Sequence, residues 1–378
     1  MSRLDEAVSR LLDHARRDRI SDTINGAAGD VANAIAGQPP HQLDRAIERL
    51  LAALDAPHAQ AGGIAAFLCG TAVEAGGSPE PVARAVLAKL PGLLHAAVAA
   101  QSELEKLDEL DLDADGGTPV GARLLPSDSV QRIVDEYPDA ARAFFAIDLF
   151  CRPLIAALTR APPLLRSAEA EAVITTLSAF EETSEYAYFL ARLLRVPIDE
   201  TWLVVDPTIE RAFEVGVSGV ANAFQVYCLL HDALGREASV WQRLFGRGSG
   251  LLPTGRPPGE LVAVASGAGP QQTDHTYTPP FTLFRWSAIV PGAVPSTGSV
   301  HDWYSNSAVP AELSMFEGRR IAVLGHFGIR MLLPVAREFE ALRANVTILR
   351  ELDGPSVAAL LRRLADAPRP PPPVPGVG

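Results

Sequence analysis

Cysteine is scarce in this sequence, and the positions of the few cysteines exclude two kinds of cross-linked protein. There are three in 378 residues, Cys69, Cys151 and Cys228, and each lies in an apolar stretch typical of a helix. An odd number of widely separated cysteines does not suit the disulfide framework of a small secreted domain, and paired zinc-ligand spacing is missing. The pattern predicts buried, reduced thiols in a cytoplasmic protein.

Dense basic clusters and long apolar runs are missing as well. The chain has 33 Lys and Arg against 45 Asp and Glu, so its formal net charge is −12 at pH 7. Nucleic acids and anionic lipids both attract cationic surfaces, so neither a nucleic acid nor a membrane is an expected partner. No stretch approaches the roughly 20 uncharged apolar residues of a transmembrane helix. The segment Met1–Val8 is expected to begin an amphipathic helix and not a signal peptide.

Several complete catalytic and metal-binding motifs cannot be found. There is no Walker-type glycine loop with Lys and Ser or Thr, and no serine lies in a nucleophile elbow. The glutamates at 181, 182 and 185 lack the Glu-x-x-His pairs of a di-iron bundle. The acidic stretch 104–126 lacks the twelfth-position glutamate of an EF-hand, and its residues Asp115–Gly117 are expected to form a solvated loop. We therefore predict no metal site and no resident cofactor.

Glycine and proline are abundant, with 30 and 31 residues, and they lie mostly between apolar periodic segments. Residues 1–245 are predicted to form a mainly helical domain with a small β-hairpin near 201–217. Its small-residue stretch 62–73 would let a neighbouring helix approach closely. A linker over 246–259, a small α/β module over 260–366 and a disordered proline-rich tail over 367–378 follow. The predicted fold class is α+β, predominantly α-helical.

The α/β module is expected to contain a Rossmann-like βαβ unit. Its predicted strands cover 261–265, 281–290, 321–324 and 346–349, and its predicted helices cover 329–343 and 355–364.

A glycine turn after the strand 321–324 is the best candidate for a ligand-binding segment. Gly325 and Gly328 stand where a turn would open a helix, and free backbone N–H groups at a helix N-terminus can hold a phosphate. Glu351 follows the next strand, at the distance of a ribose-binding carboxylate. However, His326 and Phe327 replace the middle glycine of the dinucleotide fingerprint, so a structural crossover explains the same pattern. A bound nucleotide stays an alternative.

Histidines near this turn are the candidate chemical groups. His326 would lie at the C-terminal edge of the sheet, as a general base or a metal ligand, and is the best catalytic candidate. His275 and His301 each adjoin an aspartate in a loop, but no ligand spacing supports a three-histidine metal site. The predicted ligand-binding residues are Gly325, His326, Gly328, His275, His301 and Trp303.

Cys228 and His231 are three residues apart on a predicted helix and therefore share a face. A thiolate–imidazole pair could act as a nucleophile. The apolar surroundings favour the other interpretation, a core helix with an inert, protonated thiol.

Four segments occur in an order that resembles a family of uncharacterised bacterial proteins from high-GC genomes. They are Trp202–Pro207, Asn222–Asp232, Phe281–Trp286 and Phe316–Gly325. The resemblance covers roughly residues 60–365. It implies a two-part architecture and a bacterial cytoplasmic location, and it implies no activity, substrate or catalytic residue.

Two functional hypotheses follow. The first is a non-catalytic cytoplasmic component that binds a protein partner, as a scaffold or regulator in a bacterial multi-component system, because helical arrays often do so and no complete catalytic set is present. The second is a small-molecule-binding enzyme with its site in the cleft between the helical region and the α/β module.

Overall fold

The computed structural model divides the chain into two compact units, Met1–Leu194 and Arg195–Gly378. The residues it describes are 2–16, 22–106, 127–245, 255–271, 274–284, 286, 309–325 and 331–367. The predicted fold class, α+β and predominantly helical, is confirmed.

The N-terminal unit is helical. Its α-helices are α1 Arg3–Ala15, α2 Asp22–Ile35, α3 Pro40–Leu51, α4 Ala59–Glu74, α5 Pro79–Lys106, α6 Ser127–Glu136, α7 Pro138–Phe144, α8 Ile147–Leu158, α9 Ala168–Leu177 and α10 Glu185–Leu194. Local sequence explains where some of them begin. Ser2 and Asp5 form a capping box at α1, and the Ser167 hydroxyl accepts a hydrogen bond from the Ala170 amide at α9.

Close packing between α4 and α8 follows from the glycines of α4. A Cβ added at Gly70 would lie 2.6 Å from the Cβ of Pro153, and one added at Gly63 would lie 2.8 Å from the Cβ of Leu149. Real side chains essentially never approach so closely, so only glycine allows this contact. The close approach predicted for the small-residue stretch 62–73 is therefore confirmed, and α8 is the helix that makes it.

Helix α5 is the one described helix whose length and composition would allow it to cross a membrane, over Pro79–Glu103. Core helices of globular domains meet the same criterion. Residues along α5, among them Val82, Val86, Leu90 and Leu94, are fully buried against other helices of the unit. This helix therefore packs as part of the helical core.

The C-terminal unit contains a mixed sheet with helices on its two faces. Its strands are β1 Glu200–Asp206, β2 Arg211–Ser218, β3 Thr276–Tyr277, β4 Thr282–Phe284, β5 Met315–Phe316, β6 Arg319–Gly325, β7 Leu333–Pro334 and β8 Asn345–Glu351, and its helices are α11 Ala223–Phe245, α12 Gly259–Ser266 and α13 Gly354–Asp366. The main sheet has the order β4-β6-β1-β2-β8, with β5 beside β6. Strands β1 and β6 run parallel, whereas the other neighbouring pairs are antiparallel.

Alternation along the strands divides the core of this unit into two layers. Trp202 and Val204 face a cluster that includes α11, whereas Leu203 and Val205 face a second cluster that includes α13. The hairpin predicted near 201–217 is present as β1 and β2. It belongs to the same sheet as β6 and β8, which explains why the chain divides after Leu194 and not at the glycine-rich stretch 246–259.

Two predicted elements of this unit are wrong. Residues 261–265, predicted as a strand, lie in the helix α12, which ends at Gly267 in the left-handed conformation with φ of 80°. A short apolar run suits either a strand or a buried helix, and here the segment is a helix that packs on α11. The helix predicted over 329–343 is absent from the described residues 331–343, because Pro334 has no N–H and lies in β7.

Other predicted boundaries change. A glycine after an apolar periodic segment commonly ends a helix, but α11 continues past Gly235 to Phe245. Of the strand predicted over 281–290, residues 282–284 form β4, and 287–290 lie outside the described residues. Linker residues 246–254 and tail residues 368–378 also lie outside them. The predicted βαβ unit would place β6 and β8 side by side. They are not neighbours, because β1 and β2 lie between them.

Candidate functional site

The parallel strands β1 and β6 end at the same edge of the sheet. Val205 lies opposite Val323, so the last residues of these strands, Asp206 and Gly325, come to one edge. Thr282 of β4 pairs with Gly325 and is also buried. Asp206 is fully buried, and its Oδ1 accepts a hydrogen bond from the Thr208 amide at 3.0 Å. Ligand sites of α/β folds commonly lie at such carboxyl ends.

The predicted ligand-binding residues are only partly described. Gly325 is at this edge, and His275 is exposed just before β3, where its carbonyl accepts a hydrogen bond from the Val335 amide. The other four, His326, Gly328, His301 and Trp303, lie outside the described residues. Their convergence on a common pocket stays a prediction.

Glu351, the candidate ribose-binding carboxylate, already has a cationic partner. Arg211 Nε and Nη2 donate to its two carboxylate oxygens at 2.5 and 2.9 Å. This fork matches the planar geometry of both groups. A ribose would therefore compete with a bidentate ion pair for this carboxylate.

His231 of α11 is held in one tautomer by two hydrogen bonds. Its Nε2 lies 3.1 Å from the carbonyl oxygen of Gly255, which can only accept, so Nε2 carries the proton. Its Nδ1 therefore accepts from the hydroxyl of Tyr277, at 2.7 Å. Burial lowers the pKa of His231, which favours the neutral imidazole required by this arrangement. Both ring nitrogens are occupied, so His231 holds Gly255 and Tyr277 in place.

Asp232, the next residue, is buried between two arginines. Arg236 pairs with one carboxylate oxygen, and Arg256 Nε donates to the other at 2.6 Å. Burial alone would raise the pKa of Asp232, but the hydrogen bonds from Arg236 and Arg256 outweigh it and hold the pKa below its usual value. The carboxylate is thus ionised and fully used in attaching Arg256 to α11.

Cys228 is an unreactive thiol in this structure. Burial raises its pKa to about 12, and the nearby negative charge of Asp232 acts in the same direction. Thiolates are the nucleophilic form, so a protonated thiol supports the core-helix interpretation of Cys228 and His231. Cys69 and Cys151 are likewise free and buried. No group of three or more His, Cys, Asp or Glu within the described ranges could hold a metal ion.

The N-terminal unit carries a different arrangement, which we call the Arg152 clamp: Arg152 with the rings of Phe67 and Tyr186. The guanidinium carbon lies 5.0 Å from the centre of the Phe67 ring and 5.6 Å from that of Tyr186. The rings come from α4 and α10, which both pack on α8. Cation–π contacts of this kind stabilise an exposed guanidinium by about 0.5–1 kcal/mol each. They also limit the rotamers of a long side chain.

The guanidinium of the Arg152 clamp is exposed and keeps its N–H donors. It forms no hydrogen bond and no ion pair with any residue that the structure describes. Most exposed arginines of the helical unit differ: Arg84 pairs with Glu80 and Arg142 with Asp139. An ordered guanidinium between aromatic rings, with free donors, is therefore a group available for recognition.

Sequence reasoning missed the Arg152 clamp, because its three residues lie on separate helices, with successive members 85 and 34 positions apart. One signal was present. Arg152 is the sole cation of α8 and lies among apolar residues, where a charge needs either solvent or a partner.

No protein-family model, curated protein or solved structure matches the chain.

Proposed function

We propose that this chain is a non-catalytic, protein-binding component of a bacterial cytoplasmic multi-component system, and that its helical unit supplies the docking surface. The Arg152 clamp is the observation that carries this proposal. Arginine and tyrosine are enriched among the residues that dominate protein–protein binding energy, and phenylalanine is enriched at interfaces. Here they are brought together on the surface by three helices.

Three titratable groups of α11 support the same proposal. His231 uses both ring nitrogens in internal hydrogen bonds, and Asp232 is bound by two arginines. Cys228 is kept protonated by burial. These groups serve the packing of α11, so none of the three is poised for acid–base or nucleophilic chemistry.

Native mass spectrometry of the protein gently purified from its own host tests this proposal. We expect a stoichiometric protein partner with the wild type, and about 30-fold weaker binding for Arg152→Ala, which corresponds to the ~2 kcal/mol typical of an interface hot spot. Arg166→Ala is the matched control, because Arg166 is also exposed on this unit but lies outside the aromatic clamp. A chain that carries no protein partner, or a partner that both variants retain equally, would contradict the proposal.

A second candidate function is a small-molecule-binding enzyme, which the buried Asp206 at the carboxyl edge of β1 and β6 favours. Under this alternative, the wild type co-purifies with a small molecule that Asp206→Asn has lost, since a buried carboxylate at this edge would contact it. Asp199→Asn changes an exposed carboxylate just before the other end of β1 and should retain the molecule. If Asp206→Asn retains the small molecule as well, this edge is not the site.

A further inference from the structure

The Arg152 clamp indicates which chemical group of the expected partner it binds. The Phe67 and Tyr186 rings hold the guanidinium through its charge, and this contact uses none of its five N–H donors. The planar fork of a guanidinium matches the two oxygens of a carboxylate or of a phosphate. Because the rings already restrict the side chain, less rotamer entropy is lost when those donors bind.

Exposed carboxylates close in sequence to Arg152 and Tyr186 favour a singly charged group. Asp148 lies one turn earlier on α8, and Glu182 and Glu185 come shortly before Tyr186; all three are exposed. A phosphate monoester carries about −1.5 to −2 charges at neutral pH, so nearby carboxylates repel it more strongly than they repel a carboxylate with one charge. The half-buried rings of Phe67 and Tyr186 also offer apolar contact to the neighbours of the bound group.

We infer that the Arg152 clamp binds the carboxylate of a Glu or Asp side chain that is flanked by apolar residues in a segment of the partner protein. The inference rests on the proposed function and names the partner's chemistry. The interaction is a pair of charge-assisted hydrogen bonds from the free guanidinium donors to the two carboxylate oxygens.

The test uses NMR of the full-length protein and three synthetic peptides. The first is acetyl-Ala-Leu-Glu-Leu-Ala-amide, and the others replace its glutamate by glutamine or by phosphoserine. The Nε–H signal of Arg152 is identified by its absence in Arg152→Lys. We expect the glutamate peptide to shift this signal with an apparent Kd about ten-fold lower than that of the glutamine peptide, as a charge-assisted bond requires. The Nε–H signal of Arg166, which no aromatic ring holds, should shift much less.

Other outcomes overturn the inference. If the glutamine peptide binds equally well, or if no peptide shifts the Arg152 signal, the clamp does not recognise a carboxylate. Tighter binding of the phosphoserine peptide would assign the clamp to phosphate. In a further outcome, a partner co-purifies with the wild type and is lost in Arg152→Ala while the glutamate peptide causes no shift. That result supports the proposed function and rejects only a carboxylate as the group that the clamp binds.

Discussion

Gly219→Ala is expected to destabilise the C-terminal unit by about 4 kcal/mol or more, which is at the extreme for a single substitution. An added Cβ would lie 1.9 Å from the carbonyl oxygen of Arg343 and 2.9 Å from its carbonyl carbon. Both are backbone atoms, so no side-chain rotation relieves the clash. Gly219 also has φ of 72°, in the left-handed region, and its amide donates to the Pro197 carbonyl at 2.8 Å. The clash would displace the chain between β2 and α11.

Gly318→Ala is the matched control for this prediction. Gly318 lies in the same unit with φ of 76°, but nothing lies within 4 Å of its added Cβ. Its substitution should lower the free energy of unfolding only by the cost of an alanine in the left-handed region, about 1–2 kcal/mol. All four tryptophans of the chain lie beyond residue 195, so tryptophan fluorescence during urea unfolding reports on the unit that contains both glycines. Equal losses for the two variants would show that the contact with Arg343 is not the cause.

The elements predicted well from the sequence are those whose signals are local. Leu43, Ile47 and Leu50 recur at helical spacing and predict α3, and Ser167 predicts the start of α9 as its cap. The hairpin of β1 and β2 follows from two β-rich runs on either side of Pro207. In each case the residues that determine the element lie within it or directly beside it.

The features that could not be predicted depend on contacts between distant segments. The division after Leu194 results from the pairing of β1 with β6, whose paired residues are more than 100 positions apart. Residues 261–265 have an apolar pattern that suits a strand equally well, and α12 is settled by its packing on α11. The Arg152 clamp could not be predicted for the same reason: Phe67, Arg152 and Tyr186 come together only once α4 and α10 pack on α8.

Gly70→Leu is expected to destabilise the helical unit by about 4 kcal/mol, because a side chain is forced into a close contact between α4 and α8. The added Cβ would lie 2.6 Å from the Cβ and 2.7 Å from the Cα of Pro153, and neither atom can rotate away. Gly29→Leu is the control, since Gly29 lies in α2 with nothing within 4 Å. That substitution should be neutral or slightly stabilising, because leucine is a better helix former than glycine. Thermal unfolding followed by circular dichroism at the helix band measures both changes.

Gly70→Ala connects this packing contact with the proposed function. Alanine introduces the same Cβ as leucine but a smaller overall strain, about 1–3 kcal/mol, so the unit should stay folded. Pro153 directly follows Arg152, and its displacement would move the guanidinium relative to Phe67 and Tyr186. We therefore expect folded Gly70→Ala to bind the partner more weakly than folded Gly29→Ala, as measured by native mass spectrometry. Equal binding would mean that docking does not depend on where α4 holds α8.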